Sequence, residues 1–209
     1  MSQFPGATWT SSHVYGQGTI NAALGVCYFN IPKCASMWMR KCISQMEHWW
    51  GCNFVTDDLG SSIPLIILRD PVQRWISNGP AREQIPKIYK DVQALDKIFD
   101  DLESWLHDEH SARQTDFIAG LDQTNAIYFY CDQDLSCNVE HFFRSRGVEF
   151  TAPALINEQT KDSATEQATK IWQELLSRPK YYNKFQETFA ADYKLIESVK
   201  FYKHDNYTR

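Results

Sequence analysis

Three short apolar runs, each followed by a stretch of different periodicity, constrain this chain more than anything else in it. "GVCYFNI" (25–31), "IPLIILR" (63–69) and "NAIYFYC" (125–131) are almost continuously apolar. That is the pattern of strands buried on both faces, since a strand with one wet face alternates. After the first run, Met39, Cys42, Ile43, Met46 and Trp49/Trp50 recur at three-to-four spacing and predict a helix over 37–50. After the second, "DPVQRWIS" puts Pro71 in a first helical turn.

Further along, Leu95, Ile98, Phe99, Leu102, Trp105 and Leu106 mark an amphipathic helix. "VEHFFRSRG" predicts another, closed by Gly147. Ser163-Ala-Thr-Glu166 has the form of a capping box ahead of Ile171, Leu175 and Leu176. Beyond Pro179 a last helix carries Tyr182, Phe185, Phe189, Tyr193 and Ile196. Buried strands alternating with helices predict an α/β fold, a central parallel sheet flanked by helices in three layers. The Gly/Ser/Thr-rich residues 1–20 are expected to be loop.

The 209 residues suit a single domain spanning 1–209, large enough for a proper core. The net charge of −5 gives no long-range attraction for nucleic acid, so any anion site must be built locally. Six cysteines without CxxC or zinc spacing read as reduced thiols, with no metal site. No signal peptide and no membrane-length apolar run is visible. The expected location is therefore cytoplasmic, the alternative being the lumenal domain of a truncated Golgi enzyme.

Ligands of parallel α/β sheets bind beyond the carboxyl ends of the strands. Lys33 and Arg69 both fall there. "YFNIPKCASMWMRK" (28–41) sets a cation in the loop between a strand and a helix N-terminus, whose first amides have no internal partner. Ala35 and Ser36 are small enough for a phosphate to approach the backbone. The alternative is a solvated loop lysine. The loop has no glycine between Gly25 and Gly51, which excludes a Walker loop. Cys34 and Arg40 have the C-x5-R spacing of cysteine phosphatases, though without an internal glycine to curl the loop. Arg69 offers a bidentate fork to a phosphate, or else an ion pair with Asp70 or Glu83.

Together, "IPKCASMWMRK" and "RDPVQRWIS" resemble the 5′-phosphosulfate loop and the 3′-phosphate motif of sulfotransferases that use 3′-phosphoadenosine 5′-phosphosulfate (PAPS). The closest likeness is to the Golgi-type carbohydrate sulfotransferases of the chondroitin and dermatan type. "DEHSARQTDF" (108–117) is similar to that group's D-E-H-W-x-P-Q stretch, and "LINEQ" and "FAADYKLI" resemble C-terminal segments more weakly. Two departures stand out. Met37 replaces a usual Thr or Ser, and Ser111 and Ala112 replace the Trp-x-Pro core.

The resemblance implies a P-loop-like fold and sulfuryl transfer from PAPS to a hydroxyl acceptor, a carbohydrate first of all. The product is adenosine 3′,5′-bisphosphate (PAP), and no metal takes part. Lys33 would stabilise the leaving phosphate, amides from Cys34, Ala35, Ser36, Met37 and Trp38 would cradle the 5′-phosphate, and Arg69 and Ser77 would hold the 3′-phosphate. His110 is the first candidate base, with Glu109, His107, Glu47, His48 and Glu83 behind it. Arg40 and Arg74 are candidate supports for phosphates, and Trp38, Trp75 and Trp105 for stacking on adenine or sugar. A phosphatase using Cys34/Arg40, and a PAPS- or PAP-binding module without catalysis, are the alternatives.

Overall fold

Strand β1 (Gln17–Asn21) turns back through residues 22–25 into β2 (Val26–Phe29), forming an antiparallel hairpin. The turn is closed by Gly25 N–H donating to Ala22 O and by the Asn21 side chain accepting from Leu24 N–H, with Gly25 at a φ of +62°. In a computed structural model that describes residues 16–54, 57–77, 87–155 and 163–204, the sheet has five strands in the order β3-β1-β2-β4-β5.

The chain continues through α1 (Ser36–Ile43), β3 (Trp50–Asn53), β4 (Ile63–Leu68), α2 (Pro71–Ile76), α3 (Val92–Asp100) and a 3-10 turn (Leu102–His107). It then runs through α4 (Gln114–Phe117), β5 (Ile127–Tyr130), α5 (Leu135–Ser145), α6 (Ser163–Leu176), α7 (Pro179–Thr188) and α8 (Ala190–Ser198).

The α/β class holds, but the sheet is mixed. Strands β2, β4 and β5 are parallel, while β1 lies antiparallel to both β2 and β3. A connection as short as 22–25 permits only antiparallel pairing. The expected loop over 1–20 is corrected at its end, where 17–20 are strand. Gly18 is what lets that strand lie close. A Cβ there would meet Tyr28 O at 2.5 Å and the Phe29 ring at 2.7 Å.

The helix expected over 37–50 stops at Ile43. Gln45 and Met46 donate to carbonyls three residues back, a tightening that ends the α pattern. His48, at a φ of +64°, then reverses the chain so that Trp50 enters β3 opposite Ile20. The helix expected beyond Pro179 divides at Phe189 into α7 and α8. Gly147 caps α5 as expected, at a φ of +79°, with Gly147 and Val148 N–H donating to Arg144 O and Phe143 O. The side chain of Ser163, the capping-box residue, lies outside the described residues.

Two compact units result. The sheet unit takes residues 16–54, 57–69, 114–155 and 198–204; the helical unit takes 70–77, 87–113 and 163–197. In the sheet unit, Leu65, Ile66, Ile67 and Leu68 of β4 are buried without alternation, as a central parallel strand requires. Cys27, Phe29 and Cys52 form a second patch with Ile20, Phe54, Leu59 and Leu121. In the helical unit Trp75 is the hub, its ring within 6 Å of those of Trp105, Trp172, Phe185 and Phe189. Phe99 stacks on Tyr181 with ring centroids 4.4 Å apart.

Candidate functional site

The loop between β2 and α1 is held in an unfavourable backbone conformation. Lys33 and Ala35 have φ values of +65° and +54°, left-handed for residues that carry a Cβ. Such a conformation costs about 1–2 kcal/mol each. Strain of this kind persists where the surrounding structure imposes it and clusters at ligand clamps. Between these two residues the Cys34 N–H donates to Ile31 O at 3.2 Å, which closes a turn ahead of α1.

Ala35 is the N-cap of α1, and no side chain caps the helix. Serine, threonine, aspartate or asparagine at this position would have supplied an oxygen to the second or third amide. With alanine there, the N–H groups at the start of α1 keep their donor capacity, and the helix dipole adds roughly half a positive charge.

Full charges come from two neighbouring strand tips. β2 leads to Lys33 and the parallel β4 leads to Arg69, both half-buried. Arg69 Nη1 donates to the carbonyl oxygen of Lys33 at 3.1 Å. Lys33, Cys34, Ala35, Ser36, Met37, Trp38 and Arg69 are therefore drawn into one locality. Within it the side chains divide. Met37 is 69% exposed, whereas Trp38 is buried and its indole Nε1 donates to Pro153 O at 2.8 Å. Trp38 offers a first-turn amide and a structural ring, not a stacking surface.

Cys34 points inward. It is fully buried, and its thiol donates to Gln114 Oε1 at 3.2 Å. Arg40 is exposed farther along α1. A phosphatase needs a thiolate presented to the phosphate at the loop's centre. A buried S–H donor is the opposite arrangement.

Ser77 and His110 belong to the helical unit. Ser77 is the C-cap of α2, and its hydroxyl donates to Arg74 O at 2.7 Å. His110 Nδ1 lies 3.2 Å from Asp108 Oδ1, and Nε2 lies 3.6 Å from Glu109 Oε1. Asp108 also accepts from the His110 backbone N–H at 2.7 Å, which fixes the residue at both ends. A carboxylate thus stands near each ring nitrogen, the closer one at Nδ1.

Other candidates turn out to be structural. Arg74 is 2% exposed, and its guanidinium donates to Ala112 O and Glu109 O. Trp75 and Trp105 belong to the aromatic hub. Glu47 and His48 are exposed and pair with each other at 3.6 Å. Glu83, the His107 side chain and most of "LINEQ" lie outside the described residues. Among the described residues no group of three or more His, Cys, Asp or Glu side chains is placed to hold a metal ion, and no helix is long and apolar enough to cross a membrane.

Gln114 joins the site from outside the residues expected there. It is fully buried and bonded to both strand tips, through Cys34 and Arg69. Gln114 is the last matched position of "DEHSARQ", a signal that the spacing carries alongside the histidine.

Compared with protein families, curated proteins and solved structures, the chain matches none of them.

Proposed function

We propose that this protein is a PAPS-dependent sulfotransferase with a P-loop-like phosphosulfate loop, acting on the hydroxyl of a carbohydrate acceptor. One observation supports this above the others: an uncapped helix N-terminus, a strained loop and two cations, Lys33 and Arg69, share one locality at adjacent strand tips. The paired motifs around those residues, in the order that PAPS enzymes use, narrow an anion site to a doubly phosphorylated adenosine.

In the proposed reaction the acceptor oxygen attacks sulfur in line. The S–O bond to the 5′-phosphate breaks, PAP departs with the bridging oxygen, and the acceptor proton passes to a base. Negative charge grows on that bridging oxygen, so a fixed cation there acts mainly in the transition state. Lys33 takes that role, and the amides from Ala35 to Trp38 hold the 5′-phosphate, the Cys34 N–H being given to Ile31 O. Arg69 takes the 3′-phosphate, and Ser77 is assigned to it by the motif resemblance alone. His110, held by Asp108 through Nδ1, accepts the proton at Nε2.

The test is PAP release from PAPS against a panel of hydroxylated sugars. Acceptor-dependent release that disappears in Lys33→Ala supports the assignment. A second reading, a PAP-binding module without catalysis, draws on the Glu109 carboxylate facing His110 Nε2 and on Met37 in place of a hydroxyl residue. That reading predicts ordinary PAP binding and no release with any acceptor.

A further inference from the structure

We propose that Gln114 is a positioning residue that locks the phosphosulfate loop and the Arg69 tip into one register, so that PAP affinity depends on a side chain that never meets the ligand. The inference rests on the reading of that loop as the PAPS site. Gln114 stands at the start of α4 with no solvent exposure. Its Oε1 accepts from Arg69 N–H at 2.9 Å, and its Nε2 donates to Arg69 O at 2.8 Å. One carboxamide thus meets both peptide groups of the residue just past β4, as a neighbouring strand residue would. On the other side of β4 the ladder is carried on by Cys131 N–H donating to Leu68 O.

The same Oε1 accepts the Cys34 thiol at 3.2 Å, using its second lone pair. Cys34 lies between the two left-handed residues Lys33 and Ala35. The carboxamide therefore ties the strained loop to the strand tip that carries the second cation. Arg69 Nη1 closes the circuit on Lys33 O. These bonds form a ring of protein groups that joins the loop to the Arg69 tip, while no side chain caps α1.

The chemistry also explains why glutamine occupies this position. Glutamate would accept from Arg69 N–H but could not donate to Arg69 O, and it would bury a charge. Methionine would fill the space and make none of the bonds. A loop with two left-handed non-glycine residues relaxes when such a tie is cut. The ligand must then meet the ordering cost on binding.

The experiment compares wild type with Gln114→Met by amide hydrogen exchange and by PAP titration calorimetry. Exchange at 33–38 and at Arg69 should rise roughly tenfold or more relative to β1, with PAP dissociation constants rising by roughly tenfold, the scale of losing one or two buried hydrogen bonds. A second pair isolates the link to the loop. Cys34→Ala should raise exchange at 33–38, and Cys34→Ser, which restores a donor, should return it toward wild type. This pair also decides the matter if Gln114→Met does not fold. Unchanged exchange at 33–38 relative to β1, in the methionine variant and in Cys34→Ala, overturns the inference. So does wild-type PAP affinity in a folded Gln114→Met. If wild-type protein binds no PAP, the sulfotransferase reading falls, and the exchange data alone still decide whether Gln114 locks the loop.

Discussion

Arg69 and Arg74 come from one short motif, "RDPVQRWIS", and lead opposite lives. Arg74 is buried in the helical unit, with its guanidinium on the carbonyls of Ala112 and Glu109. Arg69 is half-buried at a strand tip of the sheet unit, beside a loop that holds a lysine and an uncapped helix. A buried guanidinium whose donors meet internal carbonyls is part of the fold. Arg69 also gives one donor to an internal carbonyl, that of Lys33, but it is only half-buried, and our proposal has it meet an outside anion. Residue type and spacing are the same for both; burial tells them apart.

The largest expected effect breaks the fold side of that comparison. Arg74→Ala leaves two buried carbonyls without their charged donor and opens a void, a loss of about 3 kcal/mol or more. Urea denaturation should show it as a lowered midpoint. A variant as stable as wild type would mean that Arg74 is not a structural arginine.

Next come the cations at the strand tips. Lys33→Ala should lower kcat roughly 100- to 1,000-fold, the scale of removing one donor to a developing oxyanion. Arg69→Ala should act mainly on PAPS affinity. Neither should shift the urea midpoint by more than about 1 kcal/mol, as befits partly exposed positions. If Arg69→Ala unfolds the protein as readily as Arg74→Ala, the contrast between the two arginines is lost.

The smallest effect concerns thiols. All six cysteines lie in the sheet unit. Burial, helped by the neighbouring Cys52, pushes the Cys27 thiol up to about 12, and burial, helped by Asp57, pushes Cys52 up to about 11. Their pKa values are raised in the folded state, so their contribution to stability is complete below the ordinary thiol value of about 8.5. It is lost as pH rises through 9 toward 11 or 12. Burial raises the Tyr28 phenol in the same direction. Urea midpoints should therefore fall between pH 8 and pH 10.5, and Cys27→Ala, though less stable at pH 8, should show a shallower fall. An equal fall in that variant would assign the pH dependence to other groups.

Much of the sheet was legible because its signal is local. The runs around 26–29, 63–68 and 127–130 are apolar on both faces and announce themselves. β1 was not legible. "QGTIN" has poor strand propensity and is a strand because Gly18 fits against Tyr28 and Phe29, a long-range fact. The end of α1 failed for a related reason. Met46 and the tryptophans keep helical spacing, yet the chain reverses at His48 to pair Trp50 with Ile20.

At the site, the cations at strand tips could be read from position alone. The direction of the Cys34 side chain could not, because it depends on Gln114, which is distant in sequence. Nor could the burial of Arg74, Trp38 and Trp75, since an arginine or tryptophan at helical spacing reads the same inside or out.

The most direct test is thermal unfolding with PAP, and with 5′-AMP as the ligand lacking the second phosphate. At PAP concentrations about 100 times its dissociation constant, binding adds about 2.7 kcal/mol, which for a chain of this size raises Tm by roughly 5 °C or more. PAP should stabilise wild type by that amount, AMP by clearly less, and neither should shift Lys33→Ala or Arg69→Ala comparably. A wild-type melting curve that saturating PAP leaves unmoved would contradict the account at its centre.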